Sequence, residues 1–181
     1  MSDTGNPGDI LKATQGDEDA IFAVLCRLHE ENGLWPMNEK KVRGEIEKAT
    51  RGDKIQPSII GLIRGADKGI EGIVWLMLDT PWYGDWYYWS ERLVYVVPEH
   101  RRSTHVKRLL TFAKWCADQM SAGIADAGEP QKEVPLMIGI QTFKALEPKM
   151  RLYQRTFKQV GAQFQYRLVP TTSFNQKRVE N

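Results

Sequence analysis

The stretch ERLVYVVPEHRRSTHVKRLLTFAKWC, residues 91–116, is the most informative part of the sequence about the architecture. Its first part is an apolar run that ends at Pro98, which has no backbone N–H to give to a sheet. Its last part places apolar residues at helical spacing, a stripe that runs from Val106 to Met120. Between the two, six of the nine residues from His100 to Arg108 are Arg, Lys or His. The stretch therefore predicts a strand that ends at Val97 and a basic junction from which a helix begins at Ser103 or Thr104.

The positive charge at this junction is local, because the whole chain carries a formal net charge of only +2. Such a balance argues against a protein that coats nucleic acid non-specifically. Three interpretations of the junction remain open: a solvated basic face, a helix that binds DNA, and an anion site for a phosphorylated cofactor. A helix that follows a strand directly offers backbone N–H groups without intrahelical partners and the positive end of its dipole. Together these features suit a pyrophosphate.

The chain of 181 residues predicts one domain over residues 1–170, followed by a polar tail over residues 171–181. Cys26 and Cys116 are too few and too far apart for a disulfide framework, which favours reduced core cysteines in a cytoplasmic protein. No signal-peptide pattern and no apolar run of membrane-spanning length is present, so neither export nor a membrane partner is expected.

Hydrophobic periodicity and turn residues predict the other elements. A short strand (10–14) and two helices (18–32, with Asp17 as N-cap, and 38–50) precede a hairpin of two strands (58–65 and 69–78). After the helix that follows Pro98 we expect a loop (121–133), a buried strand (134–141), a helix from Pro148 to about Gln159, and a last strand (161–169). The order β-α-α-β-β-β-α-β-α-β predicts a single mixed α/β domain.

The stretch LVYVVPEHRRSTHVKRLL resembles the cofactor motif of the Gcn5-related N-acetyltransferases, the GNAT family. In that motif a strand and a proline corner precede Arg/Gln-x-x-Gly-x-Gly/Ala, which opens a helix that carries a leucine pair. Arg101 matches the Arg/Gln position, Thr104 and Val106 stand where the family has glycine, and Leu109–Leu110 match the leucine pair. Near the C-terminus, RLYQRTFKQVGAQF is similar to the family's closing helix and strand, with Tyr153 at the position of a family tyrosine.

The resemblance implies a mostly antiparallel central sheet flanked by helices and an enzyme that moves an acetyl group directly from acetyl-CoA to an amine. It implies that Glu91 acts as general base and Tyr153 as general acid, and that a strand amide near Val96 stabilises the oxyanion. The cofactor-binding residues it implies are Val94, Tyr95, Val96, Arg101, Arg102, Ser103, Thr104, His105, Val106 and Lys107. The acceptor is expected to be an amine-bearing small molecule or protein, with no nucleic acid as partner.

The glycine replacements at Thr104 and Val106 leave a second function open, a non-catalytic or virion-associated module with the same fold. The HRRST variant is similar to bacteriophage members of the family, which would place the protein in the cytoplasm of a host. His29, His100 and His105 have no metal-ligand spacing, so no metal is expected. A homodimer is compatible with the sequence.

The loop 79–89 carries six aromatic residues and two aspartates, Asp79 and Asp85. Half of the aromatic residues are expected in the core, and the others are expected to line a pocket for a cationic amine.

Overall fold

The computed structural model describes residues 9–33, 36–53, 55, 57–128, 131, 133–140 and 146–160. The strands are β1 (Leu11–Lys12), β2 (Ser58–Arg64), β3 (Ile70–Asp79), β4 (Tyr88–Val96) and β5 (Leu136–Met137). The helices are α1 (Glu18–Asn32), α2 (Glu39–Arg51), α3 (His105–Asp126) and α4 (Leu146–Gln154), with a 3-10 turn at Pro98–His100 between β4 and α3. The predicted order is confirmed as far as α4. The last predicted strand (161–169) and the polar tail lie outside the described residues.

The five strands lie side by side in chain order, and all neighbouring pairs are antiparallel except β4 and β5, which are parallel. The mixed α/β fold with a mostly antiparallel sheet is therefore confirmed. Each face of the sheet carries its own apolar cluster. Helix α3 packs on one face, where Leu109 and Phe112 are buried, and α1 and α2 cover the other with Ile21 and Ile46. Gly61 of β2 makes room for the Phe112 ring, because a Cβ at Gly61 would lie only 2.6 Å from it.

The start of α1 differs from the predicted cap. Asp17 stands at the N-cap position, but its side chain makes no capping hydrogen bond. One carboxylate oxygen accepts instead from the Thr14 N–H at 2.8 Å, and the other pairs with Arg64 at 2.5 Å. Asp17 therefore fixes the β1–α1 turn to the sheet. At α2 the side chain of Asn38 does cap the helix, accepting from the Lys41 N–H at 3.0 Å.

Three predicted boundaries in the second half of the chain are wrong. The loop predicted from 121 is helical as far as Asp126, because Ile124 is buried and extends the apolar stripe of α3. The buried strand predicted over 134–141 is reduced to Leu136–Met137, with Met137 43% exposed at the sheet's edge. Helix α4 ends at Gln154 rather than near Gln159, since the N–H groups of Thr156 and Phe157 both turn back to the Tyr153 carbonyl.

Strands β4 and β5 pair over a very short length, at Trp89–Leu136 and Ser90–Met137. On its other edge β4 stays paired with β3 as far as Val96, with a register shift opposite Trp75 and Leu76 that leaves Arg92 as an extra residue. Such a bulge bends the strand. In the described part of the chain, the β4 edge from Glu91 onward is therefore open toward residues 139–140. None of the helices in the described ranges combines the length and apolar character needed to cross a bilayer.

Candidate functional site

A cavity of about 1150 Å³ lies where β4 and β5 separate. Helices α1 and α2 supply one wall, β4 supplies the floor, and α4 and residues 139–140 supply the other wall. Among the site residues that the sequence predicts, the structure places seven in this lining: Glu91, Val94, Tyr95, Val96, Arg101, Val106 and Tyr153. The opening of the sheet thus brings the predicted catalytic pair and part of the predicted cofactor motif to one place.

Glu91 is a half-buried carboxylate of this cavity. Its Oε2 atom is buried and finds no hydrogen-bond partner among the described residues. Burial raises the pKa of Glu91 to about 7, because removal from water disfavours the charged form. Backbone hydrogen bonds from Gly139 and Val94 and the charge of Lys149 act in the opposite direction but are outweighed. A carboxylate with a pKa near neutrality can both accept and return a proton at physiological pH.

Tyr153 and Lys149 of α4 face the same cavity. Burial, and then the charge of Glu91, raise the pKa of Tyr153 above its ordinary value, so the phenol keeps its proton at neutral pH. Burial also lowers the pKa of Lys149, and the nearby Arg101 lowers it further. The cavity therefore holds a proton acceptor, Glu91, and a proton donor, Tyr153, that interact electrostatically. Lys149 is a cavity residue that the sequence analysis missed.

The Arg101 side chain is 48% exposed, yet it is part of an ion-pair network. Its guanidinium binds the Glu31 carboxylate of α1, and its Nε donates to the Val96 carbonyl at 3.2 Å. The Tyr95 hydroxyl donates to the other Glu31 oxygen at 2.5 Å. Burial alone would raise the pKa of Glu31, but the hydrogen bonds from Tyr95 and Arg101 outweigh it and lower the pKa. Arg101 thus fastens the end of β4 to α1, an arrangement that the sequence did not predict.

Four further residues of the basic junction lie at the surface, whereas His100, His105 and Arg108 are partly buried. Arg102, Ser103, Thr104 and Lys107 are exposed, and the Ser103 hydroxyl accepts from the His105 N–H at 3.1 Å. Thr104 has φ −84° and its side chain does not cap α3. Among the described residues the only non-glycine residues with positive φ are Asp9 and Lys68. The backbone at Thr104 and Val106 therefore does not require the glycines that the family motif has there.

The predicted role of the aromatic loop is not what the structure shows. Of its six aromatic residues only Trp89 is buried, whereas Trp82, Tyr83, Trp86 and Tyr87 are exposed. The expectation that half of them belong to the core is therefore wrong. None of the six lines the cavity between β4 and β5, as far as the described residues define it. The strand begins only at Tyr88, and the preceding residues form a turn at 82–83 and irregular structure from 84 to 87.

No protein-family model matches the chain, and no curated protein matches it either. Several solved structures match the chain in three dimensions. A probable acetyltransferase superposes with a TM-score of 0.62 at 20% identity, covering 89% of this chain and 96% of its own. A GNAT family acetyltransferase from Staphylococcus aureus gives 0.58 at 14% identity, covering 88% and 97%. AAC(6')-Iy, solved with a bisubstrate analog, CoA-S-monomethyl-acetylneamine, gives 0.58 at 16% identity, covering 88% and 96%.

This chain has the GNAT fold. The expected fold class is therefore confirmed by superposition as well as by topology. The comparisons do not support the expectation of a bacteriophage-type member. In this GNAT-fold chain the strand that carries Glu91 and the helix that carries Tyr153 lie on opposite sides of the gap between β4 and β5.

The protonation of Glu91 predicts a measurable effect on stability in this GNAT-fold chain. Its pKa is about 7 in the folded state against 4.5 for an ordinary glutamate, so near neutral pH the folded protein holds a proton that the unfolded chain releases. The stability that this proton provides is fully present below the ordinary pKa and is lost as pH rises through about 7. The loss in the free energy of unfolding is at most about 3 kcal/mol. Glu91→Gln, which cannot ionise, should lack this loss.

Chemical denaturation of both proteins at pH 5 and pH 8 measures this difference. The free energy of unfolding of the wild type should fall between pH 5 and pH 8 relative to that of the Gln variant. Other titrating groups are common to both proteins and cancel in the comparison. An equal difference at both pH values would mean that Glu91 is ionised in the folded protein throughout the range.

Proposed function

We propose that this chain is an acetyl-CoA-dependent N-acetyltransferase that moves the acetyl group directly to an amine in a ternary complex. The observation that carries the proposal is the buried Oε2 of Glu91, which has no partner within the described ranges, in a cavity that also holds Tyr153. Support comes from structural neighbours named as acetyltransferases, one of them solved with a CoA-based bisubstrate analog. The acceptor class that fits is an amine.

The residues present fit an acetyl thioester bound in the gap. The β4 edge beyond Ser90 is not paired with β5 in the described chain, so an extended amide-bearing arm can pair with it. Near Val94 and Val96 the arm replaces the hydrogen bond that the Val94 N–H gives to Glu91 and shares the Val96 carbonyl with Arg101. The arm then resembles an added strand. The first turn of α3 offers N–H groups of Val106 and Lys107 without intrahelical partners, and Arg102 and Lys107 provide exposed positive charge beside them. The bound thioester supplies the activated acetyl group.

Glu91 takes the proton of the attacking amine, directly or through a water molecule. Because its pKa is about 7, a large fraction of it is ionised and ready to accept at neutral pH. Tyr153 keeps its proton at the same pH and gives it to the departing thiolate. The two described cysteines are poorly suited to covalent catalysis, since burial raises the pKa of Cys116 to about 12 and neither residue lines the cavity. Direct transfer is the mechanism these residues favour.

Arg101 has a different part in this proposal from that of Arg102 and Lys107. Its guanidinium already neutralises Glu31 and holds the Val96 carbonyl. We assign it the positioning of β4 beside the thioester, and we assign phosphate binding to the exposed side chains of Arg102 and Lys107 together with the N–H groups of the first turn of α3. The non-catalytic alternative rests on the replaced glycines, and the negative φ values at both positions remove the conformational argument for it.

Binding of CoA is the first test. With a dissociation constant in the micromolar range, CoA at about a hundredfold excess over that constant should stabilise the fold by about 2.7 kcal/mol. For a chain of this length the melting temperature should rise by roughly 5–10 °C. An unchanged melting temperature with CoA and with acetyl-CoA would refute the proposed cofactor.

A paired set of variants locates the phosphate site. Arg102→Ala with Lys107→Ala should reduce the CoA-induced shift by at least half, because both charges flank the start of α3. The control, Lys40→Ala with Arg51→Ala on α2, removes the same charge from residues outside the cavity lining and should keep the full shift. Thiol release from acetyl-CoA across a panel of amines then separates the enzyme from a CoA-binding module without activity.

A further inference from the structure

Two histidines and a carboxylate meet beside the start of α3. Glu71 comes from the beginning of β3, His100 ends the 3-10 turn, and His105 is the first residue of α3. The His105 Nε2 lies 2.6 Å from Glu71 Oε2, and the His100 Nε2 lies 3.5 Å from Glu71 Oε1. One ligand atom from each of the three residues lies within 4.8 Å of the others. The imidazole rings are nearly parallel, with centroids 5.7 Å apart.

These three donors are a recognised combination for a divalent transition metal. Two imidazole nitrogens and one carboxylate oxygen bind Zn²⁺ at about 2.0–2.2 Å, which in a tetrahedron sets neighbouring donors about 3.4 Å apart. The His105–Glu71 separation of 2.6 Å is shorter than this value, and the His100–Glu71 separation of 3.5 Å is close to it. The three donor atoms all lie within 4.8 Å of one another. Metal binding therefore requires the three side chains to adjust from these separations. Three ligands leave the fourth position for water or another small donor.

The backbone around the cluster is arranged to keep the carboxylate in place. A Cβ at Gly65, in the turn between β2 and β3, would collide with Glu71 Oε1, so the glycine provides the space that the carboxylate occupies. The Val97 N–H donates to the Glu71 carbonyl at 3.0 Å, which fixes the strand start against the end of β4. The His105 side chain is only 12% exposed, whereas that of His100 is 40% exposed. Two ligands are thus positioned firmly, and the third is accessible.

A nearby cation opposes metal binding and has to be accounted for. Arg108 Nη1 lies 3.5 Å from His105 Nδ1, which favours the tautomer with the proton on Nε2 and a hydrogen bond to Glu71. Metal binding at Nε2 moves that proton to Nδ1. Arg108 has a second partner, Asp9, whose carboxylate lies 3.4 Å from its Nη2. The guanidinium can therefore keep an ion pair when the contact with His105 is lost.

We propose that Glu71, His100 and His105 form a binding site for a divalent transition metal of the Zn²⁺ class. The site is independent of acetyl transfer and goes beyond it. A metal held there joins the β2–β3 hairpin, the 3-10 turn and α3 through their side chains. It stiffens the segment 98–105, which carries the exposed Arg102.

The test is Zn²⁺ binding by the full chain after chelator treatment, measured by equilibrium dialysis with metal analysis. The wild type should bind one equivalent. Glu71→Gln, which keeps the side-chain shape, and His100→Gln, at the most exposed ligand, should each weaken binding at least tenfold. The matched control is His29→Gln, since His29 is the remaining one of the three histidines and lies outside the cluster. Cys26→Ser controls for binding by the partly exposed thiol.

Cobalt supplies a second readout that does not depend on affinity alone. Co²⁺ bound to two imidazoles and a carboxylate in a four-coordinate site should give strong visible absorption, absent from the Glu71→Gln variant and present in His29→Gln. Circular dichroism confirms that each variant is folded. Absence of Zn²⁺ binding by the wild type, or equal binding by the wild type and both cluster variants, would overturn the proposal. An equal loss of Zn²⁺ binding in the His29→Gln or Cys26→Ser control would also overturn the proposal, because it would place the metal at another site.

Discussion

Glu91→Gln should lower the rate of acetyl transfer by between about 10² and 10⁴-fold, the range for one general base. The substitution keeps the size of the side chain but removes the carboxylate that accepts the amine proton. Binding of CoA should change little, because the phosphate-binding residues proposed above lie on α3 and the segment before it. The measurement is steady-state thiol release from acetyl-CoA, with CoA binding followed in parallel. Glu47→Gln, on the exposed side of α2, is the matched control and should leave turnover unchanged.

The pH profile distinguishes a base from a residue that only shapes the cavity. With Glu91 acting as the base, kcat/KM should rise with pH and level off above about 7, the pKa of its carboxyl group. The acceptor for this experiment should be an amine whose own pKa lies well below that of Glu91, so that the amine does not titrate in the same range. The Gln variant should lose the rise near pH 7. A wild-type rate in the Gln variant, in a chemistry-limited step, would exclude Glu91 from the mechanism.

The sequence predicted the fold well because its elements are short-range patterns. The stripe from Val106 to Met120 specifies the buried face of α3, and Pro98 ends β4 close to its observed last residue, Val96. The predicted ends of helices and strands were wrong where contacts between distant parts of the chain determine them. The segment after Met120 is rich in glycine and alanine, and it is helical because Ile124 finds a place in the core. The apolar run after Val134 gave no sign that only two of its residues would pair with β4.

The candidate site was predicted only in part, for a related reason. Glu91 was chosen by resemblance, but its raised pKa depends on burial created by α4 and residue 139, which no local pattern contains. Arg101 was predicted to meet phosphate, yet its nearest anion is Glu31, 70 positions away in the chain. The cluster of Glu71 with His100 and His105 was not predicted from the sequence for the same reason, since Glu71 is 34 positions from His105. Ligand spacing along the chain detects only sites whose ligands are neighbours in sequence.

Tyr153→Phe should reduce turnover by on the order of a hundredfold while leaving CoA binding intact. In the proposed mechanism the phenol gives its proton to the departing thiolate, and its raised pKa keeps that proton in place at neutral pH. The loss should appear in kcat more than in KM, because the hydroxyl matters only as the sulfur departs. The variant should also stay folded, since the ring keeps its edge-on contact with Phe157, at 6.2 Å between centroids.

The identity of the leaving group separates this role from a structural one. An acetyl thioester whose thiol is more acidic than CoA needs less help from a proton donor, so the Phe variant should recover much of the wild-type rate with it. A tyrosine that only packs against its neighbours would show the same small defect with both thioesters. Tyr88→Phe removes a hydroxyl from a half-buried tyrosine outside the cavity and should retain wild-type turnover with either thioester. Near wild-type kcat in Tyr153→Phe with acetyl-CoA, in a step limited by chemistry, would remove Tyr153 from the mechanism and leave the proposed cofactor site unaffected.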